Sequence, residues 1–444
     1  METVEGVVVV GGGAVGLLTA LKLGKAGVRV VVLEARSDVT SSQHVVACTP
    51  PIIEALDRLG LLDDVRQRAV LCQDIAFRQG DGTLIAKLDW EVLSDATDHP
   101  HMLLLGQNHM SLTILEHLRR LPTVDIRWNH RVQEVEQNDS HVTLHASGPG
   151  GKASIRARWV VAADGAQSKV RETLGLAFVG HSWPERMVAT NLYYDFSLQG
   201  YSRFNLVHDP VDWGFIAQLD KSGLWRLCYE EDPLISDAAV GQRLQQRLER
   251  LLPGTPTPDQ YRVDDFTTYT VHQRCAEQLR RARVILAGDA ACVTHAISGG
   301  GLSGGILEAE ELAEALSAVL EDESCLESID DYCVRRKRVY AELTCVDSSI
   351  PFTSMNERGP IQRARDRAML KKAGGDRSLM RGLLLKFEQL NGRRSRSFTT
   401  RVNRVVRGSR WVMHHWLLSL GRSSRVSLSK WWASQAGRHS GQSK

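Results

Sequence analysis

Several provisions are missing from this 444-residue chain, and each absence removes a class of function. Its eight cysteines (Cys48, Cys72, Cys228, Cys275, Cys292, Cys325, Cys333, Cys345) contain no CxxC pair and no metal-ligand spacing. That excludes zinc-ribbon and ferredoxin-type sites, and the cysteines read as reduced thiols in a reducing compartment. No apolar run reaches the ~20 residues that cross a bilayer. Too few residues precede the first apolar stretch for a signal peptide, so a soluble, cytoplasmic protein is expected. Acid is missing from one region only: Asn391 to Lys444 holds twelve Lys/Arg and no Asp or Glu. Since the whole chain carries +3, residues 1–390 carry about −9. The body therefore offers no specific surface for nucleic acid. The tail, which also holds Trp411, Trp416, Trp431 and Trp432, reads as disordered or loosely helical. The alternative is a peripheral membrane or nucleic-acid contact through arginines and aromatics.

What is present is ordinary for a globular protein, with 43% hydrophobic and 24% charged residues. Its length suffices for two or three domains. The N-terminus carries the clearest local signal. Val7–Val10 is an apolar, β-branched run suited to a buried parallel strand. It leads into Gly11-x-Gly13-x-x-Gly16, with Ala14 and Val15 opening a helical pattern. Such a turn lets a pyrophosphate approach the backbone and sit on the free N–H groups of the helix N-terminus. Val28–Leu33 reads as the next strand, and Glu34, followed by Ala35 and Arg36, falls where a carboxylate binds a ribose hydroxyl. This motif predicts a dinucleotide and does not choose between FAD and NAD.

Further along, Pro51–Leu62 and Asn108–Leu121 predict helices, the first broken at Gly60. Val124–Trp128, Val132–Glu136, His141–Ala146 and Ala153–Arg156 read as strands of a meander. After Gly175, Met187–Phe196, Arg203–Val207, Trp213–Leu219 and Leu224–Tyr229 alternate with period 2, predicting an inserted, mostly antiparallel sheet. Ala239–Leu252 reads as a helix covering its edge, and long helical patterns follow at Leu302–Leu320 and Ile329–Thr344. The expected fold class is α/β (α+β): a Rossmann-like domain of residues 1–178 and 276–350, a β-sheet substrate domain of 179–275, a helical segment at 351–391 and the tail at 392–444.

Two more stretches complete a pattern. Trp159–Ala163 is an apolar run followed by Asp164-Gly165, Ser168 and Arg171. Val284–Ala287 is followed by Gly288-Asp289-Ala290-Ala291 and a glycine-rich stretch from Gly299 to Gly305. With the first motif, these resemble the group A aromatic hydroxylases, single-component flavin monooxygenases typified by p-hydroxybenzoate hydroxylase, over residues 1 to about 350. The resemblance implies FAD as cofactor and NADH or NADPH as co-substrate. It places FAD or nicotinamide contacts at Asp164, Gly165, Ser168 and Arg171, and the ribityl chain at Gly288 and Asp289. It places the flavin by Gln107 and by the helix start at Gly299, Gly301, Leu302 and Ser303. Where the family usually has an arginine stands His44; Cys292 and Ala296 replace a usual histidine and proline.

The resemblance further implies hydroxylation of a phenolic or polyketide-like aromatic by O2 through a flavin hydroperoxide. Activating a phenol calls for a Tyr, His or Arg on the inserted sheet, and Tyr193, Arg203, His208 and Arg226 are the candidates. Trp213 and Trp225 either wall the pocket or pack the core. A small aromatic molecule and O2 are the expected partners of a monomer or homodimer. The other readings are an oxidase or reductase of the same fold, and an FAD-binding protein whose catalysis is impaired.

Overall fold

A computed structural model describes residues 2–41, 43–294, 300–344, 354–357 and 359–385. The chain divides into Met1–Gly392 and Arg393–Lys444, and every described residue belongs to the first unit. The basic tail thus lies outside the described residues.

The valine run forms the strand Glu2–Val10, flanked in parallel by Val30–Leu33 and by Gly151–Ala162. Val124–Arg127 and Val284–Leu286 extend this sheet outward, also in parallel. Successive side chains of a strand point to opposite faces, so both faces must be covered. Val7, Val9, Val30, Val32, Trp159 and Val161 pack under the helices Ala14–Lys25 and Gly300–Glu321. Val8, Val10, Val31, Val160 and Val284 pack against Val135, Val142 and Leu144 on the other side.

Two sequence expectations are corrected here. Val124–Arg127 is an outer strand of the parallel sheet, because its register follows Val30–Leu33 and not the hairpin beyond it. Ala153–Arg156 and Trp159–Ala163 are parts of one strand, Gly151–Ala162, whose first half pairs antiparallel with Val142–Gly148. Arg131–Gln137 completes that three-stranded flap.

The second sheet runs Cys292–Val293, Arg262–Ala276, Phe178–Tyr193, Leu224–Glu231, Gly214–Gln218, Phe204–His208, Asp74–Gln79, Leu84–Asp89. It therefore takes three strands from outside residues 179–275, two at 74–89 and one at 292–293. The helix Asp237–Leu251 lies on a face of this sheet, not along its edge. Val240, Leu244 and Leu248 pack on Val188, Leu192, Ile216, Leu227 and Tyr229. Trp225 lies in that core and Trp213 is fully buried. A third sheet, Val45–Cys48, Met102–Gly106 and Val70–Cys72, was not read from sequence. The helices Pro360–Gly375 and Arg377–Leu384 lie over the Leu84–Leu93 segment, where Leu370 meets Ile85 and Ala86 and Arg381 donates to the Val92 carbonyl at 2.6 Å. Among the described residues, no helix is long and apolar enough to cross a membrane.

The reading of all eight cysteines as free thiols is corrected at one pair. Cys275 and Cys292 are directly opposed across antiparallel strands, with Cα atoms 4.1 Å apart, and form a disulfide. Seventeen residues separate them in sequence, and only the strand register brings them together.

Candidate active site: a nucleotide cleft facing a polar sheet surface

The turn after the first strand is shaped by its glycines. Gly11 has φ +107°, and a Cβ there would lie 2.2 Å from the Ala163 carbonyl oxygen. A Cβ on Gly16 would lie 2.1 Å from the Gly11 carbonyl oxygen, so the helix can approach the strand only without one. Above Gly13, by contrast, nothing lies within 4 Å. The backbone there is open to a ligand at the start of Ala14–Lys25, where helix N–H groups attract phosphate. Ala14 is buried in the core, and Val15 supports the third motif from below, close to Gly288 and Gly305.

Glu34 ends the neighbouring strand and is 5% exposed. Its carboxylate accepts from Gly12 N at 2.5 Å, Arg36 N at 2.9 Å and Arg36 Nε at 3.0 Å. Burial pushes its pKa up, but the Arg36 and Gly12 hydrogen bonds outweigh this and hold it below the ordinary value. Glu34 is thus an anion fixed against the glycine turn. Ala35 is half-buried beside it.

Asp164 follows the parallel strand Gly151–Ala162. One carboxylate oxygen accepts from Val170 N at 3.1 Å, and Oδ1 is buried with no hydrogen-bond partner among the described residues. Burial raises its pKa. Gly165 has φ +84° and turns the chain toward Ser168. Asp289 sits in the short turn Gly288–Ala290. Its surface is open, yet the surrounding protein is dense enough that desolvation raises its carboxyl as well. Gly288 has φ +59°, and its N–H donates to buried Glu308 at 2.8 Å, itself held by Tyr332 at 2.9 Å. Glu308 and Tyr332 were missed in the sequence, where a helical Glu and Tyr carry no distinguishing spacing.

The orphaned Asp164 oxygen, the open space above Gly13 and the fixed Glu34 carboxylate fit a dinucleotide carrying a diphosphate and hydroxyl-rich arms. The other expected contacts also have partners within the protein. Ser168 caps the helix Lys169–Thr173 by accepting from Arg171 N at 3.0 Å. Arg171 is 8% exposed and donates to the Ala290 and Ala166 carbonyls at 2.9 and 2.8 Å, over the Phe178 ring at 3.8 Å. It braces the second motif against the third. Ser303 donates to the Ala47 carbonyl at 3.1 Å, and Leu302 packs on the core, so both tie the helix Gly300–Glu321 to its neighbours. Gly301 lies in that helix's first turn, while Gly299 and Ala296 lie outside the described residues.

The second sheet presents its other face, opposite the helix Asp237–Leu251, to the segment that carries Gln43, His44 and Gln107. Gln107 N donates to the His44 carbonyl at 2.8 Å, and their side chains are also hydrogen-bonded. His44 is open at its surface, yet desolvation by the surrounding protein, then the charge of Arg226, lowers its pKa, against the opposing hydrogen bond from Gln107. Arg226 is 5% exposed, and its Nε donates to Asn191 Oδ1 at 3.0 Å. Asn191 in turn donates to Gln43 at 3.4 Å. Of the four catalytic candidates, only Arg226 lies in this cluster. Arg203 is exposed and bonded to Ser197 at 2.9 Å and to Gln218. Tyr193 lies under Arg262 at 4.2 Å. His208 is lodged against Phe77, with burial taking its pKa down to about 4. Asn191, Cys228 and Tyr269 were missed, although Arg226 and Cys228 stand at period 2 on one face of an apolar strand.

A glycine turn, a ribose-type acid and two internal aspartates around one cleft define a dinucleotide-binding flavoprotein. Residues 5–347 match the family described as FAD binding domain, and the chain belongs to it. It is an FAD-dependent monooxygenase of the aromatic-hydroxylase class. It is 60% identical over 394 residues to para-nitrophenol 4-monooxygenase of Pseudomonas sp. (strain WBC-3), covering 89% of this chain and 98% of that one. The crystal structure of p-nitrophenol 4-monooxygenase from Pseudomonas putida DLL-E4 superposes with a TM-score of 0.87 at 62% identity, covering 89% of this chain and all of that one. Aklavinone-11 hydroxylase, solved with FAD and aklavinone, superposes with a TM-score of 0.72 at 27% identity over 81% of this chain and 70% of that one.

Proposed function

We propose that the protein uses NADH or NADPH and O2 to hydroxylate a small single-ring phenol, with p-nitrophenol as the favoured substrate. The observation that carries the substrate class is Arg226: a buried guanidinium with no carboxylate ion pair among the described residues. A buried cation without a counter-ion is costly, and an anionic ligand such as a phenolate offsets that cost. The 60% identity to a para-nitrophenol 4-monooxygenase supports the choice of ring.

FAD, when bound, supplies electron transfer from the nicotinamide to O2, chemistry that side chains cannot perform. The chain supplies the rest. The Gly11–Gly16 turn and Glu34 anchor the nucleotide end, and Asp164 and Asp289 offer acceptors to hydroxyl groups between the motifs. Arg171 and Glu308 hold those two segments in register. Arg226 keeps the substrate's ring oxygen ionised, which raises electron density at the ring carbon to be oxygenated. The apolar strands around it exclude water. In the FAD-loaded protein, p-nitrophenol is expected to accelerate NADH or NADPH oxidation together with O2 uptake. Nicotinamide oxidation that no phenol accelerates overturns the proposal, and peroxide formed in place of product selects an oxidase.

A further inference from the structure

We propose that Cys275 and Cys292 form a redox modification site: hydrogen peroxide closes their disulfide, a thiol reductant opens it, and the closed bond slows the release of FAD. This rests on Asp289 being an FAD contact, as proposed above. Ala276 N donates to the Ala291 carbonyl at 2.8 Å, so residues 276 and 291 are a hydrogen-bonded pair of the antiparallel ladder. Cys275 and Cys292, the next pair along, are then of the non-hydrogen-bonded kind, whose Cα atoms stand about 4.5 Å apart from strand pairing alone. The observed 4.1 Å follows from the register, which opposes the two sulfurs whether the bond is open or closed. Both cysteines are half-buried, and Cys292–Val293 is the edge strand of the second sheet, so a small oxidant or reductant can reach the pair.

The other described cysteines form no disulfide. Burial pushes Cys48, Cys72 and Cys333 up to about 12 and raises Cys228, so these thiols stay protonated and react poorly. Beside the pair, Arg171 donates to the Ala290 carbonyl at 2.9 Å and Arg274 precedes Cys275, and positive charge favours the thiolate that attacks peroxide. One thiolate sulfur bonds to a peroxide oxygen as the O–O bond breaks, giving a sulfenic acid and a hydroxide, which takes up that thiol's proton. The second sulfur then displaces the hydroxyl, which leaves as water with the second thiol's proton. Two thiols lose two electrons, and one hydrogen peroxide becomes two waters. Hydrogen peroxide is what reduced nicotinamide and O2 yield when no ring is oxygenated, so the oxidant arises in the same protein. The bond closes a loop from 275 to 292 that contains the strand Val284–Leu286 and the Gly288–Ala290 turn with Asp289. With the bond open, the two-residue strand Cys292–Val293 relies on its ladder and on Tyr340, whose hydroxyl donates to the Val293 carbonyl at 3.0 Å. So short an edge strand opens locally at low cost, and the closed bond ties the exit of the Asp289 turn to the second sheet.

The test follows FAD release from the FAD-loaded full chain by flavin fluorescence, after dithiothreitol and after stoichiometric hydrogen peroxide, with thiol counting and mass spectrometry of the peptides. Peroxide should join the peptides that carry Cys275 and Cys292 and slow release about fivefold relative to the reduced protein, since part of the loop-closure effect acts on the Asp289 turn. Cys275→Ala and Cys292→Ala should each release FAD at the reduced rate under both treatments. The inference is overturned by a pair that peroxide leaves as thiols, by a bond that dithiothreitol leaves closed, by equal release rates in the two states, or by a reduced protein that no longer folds. Asp289→Ala separates this from the assignment beneath it. If that variant holds FAD as the wild type does, Asp289 is no FAD contact and the inference falls with it. If it loses FAD while the thiol state changes nothing, the inference alone falls.

Discussion

Arg171 separates a ligand contact from a structural brace, and its removal distinguishes the two. Its guanidinium donates to the Ala290 carbonyl at 2.9 Å and the Ala166 carbonyl at 2.8 Å, and stacks on Phe178 at 3.8 Å. Replacing it with alanine leaves two carbonyls in a largely buried site without their donor, about 1–3 kcal/mol each. The lost ring contact adds about 0.5–2 kcal/mol. Partial relaxation and access of water reduce this sum, so about 3 kcal/mol is the expected loss. For an unfolding slope of about 3 kcal/mol per molar urea, the midpoint falls by about 1 M. The decisive assay is urea unfolding of the FAD-free protein, because a brace acts whether or not the ligand is bound. Arg171→Lys, whose ammonium reaches one carbonyl at a time, should recover about half. An FAD-free Arg171→Ala protein that unfolds with the wild type, yet loses FAD, would refute the brace and make Arg171 a direct ligand.

Three further outcomes are expected. Glu34→Gln should weaken FAD retention and change the acid limb of stability. Because the folded carboxyl is held below its ordinary value, its contribution is present above about pH 5 and is lost as pH falls through the folded pKa, so wild type and variant should converge in acid unfolding curves once the pH lies below that folded pKa. Asp164→Asn removes a charge that burial disfavours while keeping an acceptor for Val170 N. Its FAD-free form should melt no lower than wild type while FAD affinity drops about tenfold, and calorimetry of both forms checks the pair. Removing residues 393–444 should leave FAD content unchanged, since the family match ends at residue 347; a colourless truncated protein would assign the tail to the fold.

The glycine turn and the strands and helix that frame it were legible because their signals are local. A β-branched strand, three glycines at fixed offsets and an acid at the next strand's end act within one βαβ unit, so linear spacing carries the geometry. The substrate half depends on pairing between distant strands. Nothing in the sequence around Tyr269 shows that it meets Cys228, forty-one residues earlier, because that contact is set by two antiparallel registers through Phe178–Tyr193. The Cys275–Cys292 pair was invisible for the same reason. Arg226 was found by residue type on a predicted strand, but type alone also selected Arg203 and His208, which the fold directs elsewhere. Asp74–Gln79 was not read as part of the second sheet, since a parallel partner for Phe204–His208 more than a hundred residues away leaves no local mark.

The central claim is that one oxygen atom of O2 enters an aromatic ring at this cleft. It is tested most directly by one turnover of the FAD-loaded protein with p-nitrophenol and NADH or NADPH under 18O2, followed by mass spectrometry of the aromatic product after reduction to block exchange. One 18O atom in the product, formed only with nicotinamide present, is the predicted result. Unlabelled aromatic with all consumed O2 recovered as peroxide would contradict the account.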